Sequence, residues 1–186
     1  MGRVALRLAR TSAEAHLYME LRPCQACGES AFEPSSSIIE ADGDLASRYS
    51  GACPSCGAAR EFTFRLPDDI PLPSDDDPSF GDDRPSELLD AGEWLWLGDV
   101  LASDAPADPA GLAAPERRLA RMDLLTAASA LAEVLKFVPP DADAVPPQAL
   151  WSERGRAVYA AEPGRFRRLR LEAVRDVYRD VAARFA

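Results

Sequence analysis

Two cysteine pairs constrain the fold of this chain more than any other feature of its sequence. Two residues separate Cys24 from Cys27, two separate Cys53 from Cys56, and 25 lie between the pairs. These are the only 4 cysteines among the 186 residues. A C-x-x-C turn lets two thiolates reach one ion, and four thiolates in a tetrahedron are a common structural site for Zn²⁺. The spacing therefore predicts one structural zinc ion per chain, held by all four cysteines.

The residues around the cysteines predict how the two pairs meet. Gly28 and Gly57 follow the second cysteine of each pair, and glycine permits the tight turn that points backbone N–H groups at the sulfurs. A β-hairpin between the pairs would bring the turns together, and Asp42-Gly43 is a typical two-residue hairpin turn. Three strands are predicted, over residues 35–41, 46–52 and 60–66.

Residues 20–66 resemble a zinc ribbon. Cys53-Pro54-Ser55-Cys56-Gly57 has the full zinc-knuckle pattern of that class, whereas Cys24-Gln25-Ala26-Cys27-Gly28 lacks the proline. The resemblance implies a small antiparallel sheet that binds a metal. It leaves the role open, because zinc ribbons occur in transcription and translation factors, in enzymes and in adaptors. An iron site such as that of rubredoxin uses the same ligands and is the alternative for the metal.

The acidic side chains are concentrated in the middle of the sequence. The chain has a net charge of -10, and residues 67–115 alone hold 1 basic and 13 acidic side chains, a net charge of -12. Within them, residues 67–85 contain 5 prolines and 7 aspartates. This composition predicts an extended acidic linker, which would join a zinc-ribbon domain over 1–66 to a helical domain over 86–186.

Helical periodicity dominates the second half of the chain. A helix capped by Ser86 is predicted to run to Leu101, and further helices are predicted over residues 116–138, 152–161 and 165–185. A short helix over 12–21 leads the ribbon, capped by Thr11 and Glu14. The fold is thus predicted to be α+β, a three-stranded antiparallel zinc ribbon followed by a bundle of three to four helices. The apolar stripe predicted for the last helix consists of Phe166, Leu169, Ala173, Val177, Val181 and Phe185.

Two groups of side chains are candidate partner contacts. Tryptophan rings form a helical core by default, and an exposed ring would anchor a partner. An arginine cluster at the start of the last helix either contacts phosphate or carboxylate groups of a ligand or pairs with the acidic middle of the chain. The candidate contacts are Trp94, Trp96, Arg165, Arg167, Arg168 and Arg170.

The sequence contains no recognisable catalytic constellation. Gly-rich phosphate motifs are absent, and no nucleophile motif accompanies His16, the 1 histidine. Four cysteine ligands leave the metal no open position for water, so catalysis there is not expected. An enzyme with a structural zinc would need carboxylates such as Glu93 and Asp99 brought together by the fold.

We therefore predict a non-catalytic protein-binding protein, of the adaptor or immunity/inhibitor type, that engages a basic partner protein. The alternative is a nucleic-acid-associated zinc-ribbon regulator of transcription or translation, which the net charge of -10 disfavours.

Arginines interrupt the apolar runs of residues 1–20, and no stretch approaches the ~20 apolar residues of a membrane span. We expect a cytoplasmic protein with reduced thiols and no membrane partner. The 20 arginines against 1 lysine are typical of a GC-rich bacterial genome.

Overall fold

The computed structural model describes residues 6–41, 43–68, 78–106 and 108–186. Over these residues the chain forms an antiparallel sheet of three strands and five α-helices, which confirms the predicted α+β class. In chain order they are α1 (Ser12–Glu20), β1 (Ser35–Ala41), β2 (Asp44–Ala52), β3 (Ala59–Arg65), α2 (Ala91–Asp104), α3 (Ala114–Leu135), α4 (Glu153–Ala161) and α5 (Arg168–Ala183). No helix in the described ranges has the length and apolar character that a membrane crossing requires.

The chain divides into two compact units. Unit 1 contains Met1–Pro71 and Ser86–Leu88, and unit 2 contains Leu72–Pro85 and Leu89–Ala186. Within unit 1, the short segment Ser86–Leu88 is attached through Glu87, whose carboxylate accepts a hydrogen bond from Leu8 N at 2.8 Å.

Part of the predicted acidic linker packs in unit 2. The Phe80 ring lies 4.7 Å from the Trp94 ring, and Ser129 Oγ donates to the Pro78 carbonyl at 2.6 Å. One aromatic residue thus anchors a segment whose composition predicts an extended chain. Residues 69–77, where most of the linker's aspartates lie, are outside the described residues.

The three strands of unit 1 pair in the order β1-β2-β3, and their bounds agree with the prediction to within two residues. Gly43, in the turn that joins β1 to β2, has a φ of 94°, a value that favours glycine. Thr11 Oγ1 accepts a hydrogen bond from Glu14 N and caps α1, as predicted. The Tyr18 ring of α1 lies edge-on to the Phe64 ring of β3 at 5.5 Å, so α1 covers the aromatic face of the sheet.

In unit 2, α2 begins at Ala91, four residues later than predicted. Its cap is Asp90 rather than Ser86: Asp90 Oδ1 accepts hydrogen bonds from Gly92 N and Glu93 N at 3.0 and 2.9 Å. The Glu93 carboxylate in turn accepts from Asp90 N at 3.3 Å, which completes a capping box. Ser86 Oγ instead accepts from Leu88 N in a local turn.

Two glycines let other helices approach α2 closely. A Cβ atom on Gly98 would lie 2.5 Å from Leu131 Cδ1 of α3, and one on Gly92 would overlap the backbone of Gly155 in α4. Each glycine costs about 1 kcal/mol of helix propensity relative to alanine. Glycine is nevertheless needed at both positions, because a larger residue would prevent α3 or α4 from packing this close to α2.

The stripe predicted for the last helix is wrong at three positions. Leu169 is 79% exposed, Val177 is 55% exposed, and Ala173 is exposed as well. The helix begins at Arg168, and Phe166 is buried from a separate 3₁₀ turn (Pro163–Phe166), so a periodicity counted from Phe166 has the wrong phase. The side chains of α5 that are buried belong to Leu171 and Ala182, and Ala182 packs in a cluster with Leu124 of α3.

Candidate metal centre

The fold brings the four predicted ligands together. Cys24 and Cys27 lie in the loop between α1 and β1, and Cys53 and Cys56 lie in the turn between β2 and β3. The distance between Sγ atoms is 3.7 Å for Cys24 and Cys56 and 3.5 Å for Cys27 and Cys53, and the four sulfurs lie within 4.8 Å of one another. A tetrahedral site with metal–sulfur bonds of about 2.3 Å has sulfur–sulfur edges of about 3.8 Å. The four cysteines are therefore arranged to hold a metal ion, consistent with zinc.

Both cysteine turns have the same backbone hydrogen bonds. We call residues 24–28 the first cysteine turn and residues 53–57 the second. Gly28 N donates to the Cys24 carbonyl at 2.8 Å, and Gly57 N donates to the Cys53 carbonyl at 2.9 Å. The φ angles of Gly28 and Gly57 are 80° and 74°, in the left-handed region that favours glycine. The interpretation of the two glycines as turn residues is confirmed.

The four thiols differ in accessibility. Cys24 and Cys53 are buried, whereas Cys27 and Cys56 are exposed, and none of them forms a disulfide. The Cys24–Cys56 and Cys27–Cys53 sulfur pairs each join one buried thiol to one exposed thiol. The metal position thus has protein on one side and solvent on the other.

The neighbouring thiols of Cys27 and Cys53 have very different pKa values. Burial raises the pKa of Cys53, but backbone hydrogen bonds from Cys56 and Ser55 lower it, and the result is a pKa of about 7. A backbone hydrogen bond from Glu29 lowers the pKa of Cys27, yet the adjacent thiols of Cys56 and Cys53 raise it to about 12. Four adjacent thiolates repel one another, and a divalent metal ion supplies the positive charge that lets all four ionise.

A carboxylate joins the two cysteine turns on the exposed side. Ser55 Oγ donates to Glu29 Oε2 at 2.6 Å, and Ala31 N donates to Glu29 Oε1 at 2.9 Å. These two hydrogen bonds lower the pKa of the Glu29 carboxyl, so it accepts them as a carboxylate. The Glu29 carbonyl also accepts from Cys24 N at 2.8 Å, which ties the same residue to the first cysteine turn.

A cavity of about 420 Å³ opens beside the first cysteine turn. Tyr18 and Phe62 form two of its walls, and Arg22 lies over the Tyr18 ring at 4.5 Å. Arg60 and Cys24 line the same cavity. Sequence reasoning missed Arg60 and Glu29. Side chains alternate between the two faces of β3, so residues 60, 62 and 64 share one face. This alternation could have placed Arg60 beside the aromatic rings.

The three tryptophans differ in accessibility. Trp94 is fully buried in unit 2, so its ring belongs to the core and is not open to a partner. Trp96 is half-buried, and the Arg154 guanidinium lies 4.2 Å from the centre of its ring. Trp151 is 38% exposed and packs against the Phe137 ring at 5.9 Å. Trp151 was not among the predicted contacts, yet it is the most accessible of the three.

Three of the four clustered arginines have partners inside the fold. Arg165 forms a bidentate ion pair with Asp99, a residue of the acidic 67–115 region. Arg168 donates to the Pro139 carbonyl at 2.8 Å, and Arg170 pairs with Glu162 at 2.6 Å. Arg167 is exposed at the N-cap position of α5.

The carboxylates considered for an enzyme have separate structural contacts. The Asp99 carboxylate binds Arg165, and the Glu93 carboxylate binds the backbone at the start of α2. His16, the 1 histidine of the chain, is exposed on α1 with its ring edge-on to Tyr49 at 5.4 Å. Each of these three side chains thus has a contact within the fold.

Comparison with known proteins adds no family assignment. The zinc-ribbon resemblance is one of motif and layout over residues 20–66, and it stays a prediction. No protein-family model, no curated protein and no solved structure matches this chain.

Proposed function

We propose that this chain is a non-catalytic protein-binding protein that engages a basic partner, as an adaptor or an inhibitor does. In this proposal unit 1 is a zinc ribbon with one structural Zn²⁺, and the four helices of unit 2 form a bundle. The observation that carries the structural-zinc part of this proposal is the cluster of four thiols, with sulfur–sulfur distances near those of a tetrahedral site.

The donor set supports a structural role for the metal. Cys24, Cys27, Cys53 and Cys56 would occupy all four positions of a tetrahedral Zn²⁺ ion, leaving none for water or substrate. Zinc bound in this way would supply folding free energy to unit 1, which has only three strands and one short helix in its described part.

Charge supports a basic protein as the partner. The chain has a net charge of -10, and three of its clustered arginines are already engaged with Asp99, Glu162 and backbone carbonyls. These arginines are thus occupied within the fold, and the net charge of the chain stays -10. Complementary charge speeds association and selects against acidic partners.

One observation favours the alternative, a nucleic-acid-associated regulator of transcription or translation. The cavity beside the first cysteine turn combines aromatic walls, Tyr18 and Phe62, with the cationic side chains Arg22 and Arg60. Aromatic faces next to guanidinium groups are typical of sites on which unpaired bases stack. The exposed Glu61 in the same cavity and the acidic chain as a whole disfavour a phosphate backbone there.

Two measurements on the intact protein test the proposal. Metal analysis of purified protein should give one zinc per chain, and a value well below one would contradict the structural site. Titration of labelled single-stranded and double-stranded nucleic acid should show no binding at low salt. Tight binding that weakens steeply with salt would instead support the regulator.

The partner is best sought by cross-linking in cells that express the intact chain, followed by reconstitution with the purified candidate. We expect association to slow when Asp75, Asp76 and Asp77 are replaced by asparagine. The matched control replaces Glu172, Asp176 and Asp180 of α5 by their amides, which removes the same charge elsewhere. Equal slowing in both variants would show that net charge alone, and not the acidic segment, recruits the partner.

A further inference from the structure

The Arg60 side chain is almost completely buried although it carries a charge. It is 8% exposed, and its guanidinium donates to three backbone carbonyls. The hydrogen bonds are to Arg22 O at 2.7 Å, to Ala31 O at 3.1 Å and to Met19 O at 3.3 Å. No carboxylate among the described residues forms an ion pair with it.

These carbonyls lie on both sides of the first cysteine turn. Met19 and Arg22 precede Cys24 in the chain, and Ala31 follows Gly28. One guanidinium therefore binds both ends of the segment that presents Cys24 and Cys27. Arg60 itself is the second residue of β3, which begins two residues after the end of the second cysteine turn. Its side chain thus connects the two halves of the metal site through hydrogen bonds.

Two aromatic rings hold the guanidinium in place. Its central carbon lies 4.2 Å from the Phe32 ring centre and 5.7 Å from that of Phe62. Arginine presents five donors in a planar fork that stacks on rings, whereas lysine presents one compact ammonium group. A lysine at position 60 would keep the charge but could not reach three separate carbonyls with the same geometry.

We propose that Arg60 is a positioning residue for the metal: it holds the first cysteine turn at the distance from the second that four-thiolate binding requires. The inference rests on the proposed zinc site. An ordered pair of turns lowers the conformational entropy lost when the metal binds. Residues that orient metal ligands in this way typically change metal affinity 10–100-fold when they are replaced.

The test compares zinc affinity in Arg60→Lys, Arg60→Met and the wild type, by competition with a chromophoric chelator. We expect both variants to bind zinc about 10–100-fold more weakly than the wild type. Arg48→Lys on β2 is the matched control, because Arg48 is exposed on the neighbouring strand, and its affinity should equal that of the wild type. Full affinity in Arg60→Lys would overturn the proposal, because charge alone would then suffice.

A second variant separates positioning from general loss of stability. Phe64→Leu removes part of a buried ring from the same strand without touching either cysteine turn's hydrogen bonds. The visible spectrum of the Co²⁺-loaded protein, which reports the geometry of the thiolates, should change in Arg60→Lys and stay that of the wild type in Phe64→Leu. The same spectral change in both variants, or in neither, would overturn the proposal. A wild type that binds no metal would overturn the zinc site itself, and the two failures are thus distinguishable.

Discussion

The two units of this protein are stabilised in different ways. Unit 1 has a small sheet, one helix of 9 residues and a cluster of four thiols. Unit 2 has four helices, of which α3 alone contains 22 residues, and side chains such as Trp94, Leu131 and Phe166 are fully buried within it. A small unit buries too small a fraction of its surface for its core to suffice, and a metal ion is one way to compensate.

Buried charges also serve the two units differently. In unit 1 the cationic Arg60 binds three carbonyls around the first cysteine turn, on which the metal site depends. In unit 2 the anionic Asp90 binds three backbone N–H groups: Gly92 N and Glu93 N in α2, and Ser152 N, at 2.6 Å, at the start of α4. Arg60 thus connects the two cysteine turns of unit 1, whereas Asp90 joins two helix ends of unit 2.

The two units can be followed separately in one sample. All 3 tryptophans, Trp94, Trp96 and Trp151, lie in unit 2, so tryptophan fluorescence reports that unit alone. All 4 cysteines lie in unit 1, so Co²⁺ absorption reports the other.

Metal removal should have the largest effect. A strong chelator, or Cys53→Ser, should unfold unit 1, because four-thiolate zinc binding contributes on the order of 10 kcal/mol to folding. The β-sheet signal in circular dichroism should fall, while the denaturation midpoint seen by tryptophan fluorescence moves little. Gln25→Ala, at an exposed position of the first cysteine turn that supplies no ligand atom, is the control and should retain the metal. Equal loss of both signals after chelation would show that unit 2 depends on the metal as well.

Gly155→Ala should have the next largest effect and should act on unit 2. A Cβ atom at this position would overlap the carboxylate of Asp90, so the α2–α4 crossing must open or the cap must break. We expect a loss of roughly 3 kcal/mol in the free energy of unfolding seen by tryptophan fluorescence. Gly164→Ala is the matched control, since the atom nearest to its Cβ would be Arg170 Nη1 at 3.9 Å. Comparable losses in both variants would contradict steric overlap as the cause.

Asp90→Asn should destabilise unit 2 by about 1–2 kcal/mol. The amide oxygen can still accept from Gly92 N and Glu93 N, but the amide NH₂ cannot accept the hydrogen bond from Ser152 N. Urea unfolding followed by tryptophan fluorescence measures the loss. Asp83→Asn, an exposed residue of the same charge, should change the midpoint by less than a quarter as much. An unchanged midpoint in Asp90→Asn would show that the link to α4 contributes nothing to stability.

Local chemistry made the metal ligands and the sheet predictable. The spacing of Cys24, Cys27, Cys53 and Cys56 depends on turn geometry within a few residues, and Gly28 and Gly57 have the positive φ that such turns require. The period of two in β3 likewise depends on neighbours in the sequence. These features need no knowledge of how distant parts of the chain pack.

Features set by distant contacts could not be predicted. The role of Arg60 depends on three carbonyls that lie 29 to 41 residues away in sequence. Both Ser86 and Asp90 are good helix caps, and the choice of Asp90 depends on its contact with Ser152 in another part of the chain. Phe80 packs against Trp94 although proline and aspartate surround it.

The smallest effect should come from Leu169→Gln in α5, and its comparison with Leu171→Gln tests the phase of that helix. Leu169 is 79% exposed and Leu171 is 1% exposed. We expect Leu169→Gln to change the stability of unit 2 by less than about 0.5 kcal/mol, because the side chain stays in water. Leu171→Gln should cost roughly 3 kcal/mol, because it buries an amide in an apolar site. Urea unfolding followed by tryptophan fluorescence measures both. A larger loss of stability in Leu169→Gln than in Leu171→Gln would mean that α5 buries the stripe predicted from Phe166. Arg168 would then lie on a different side of the helix from the Pro139 carbonyl to which it donates.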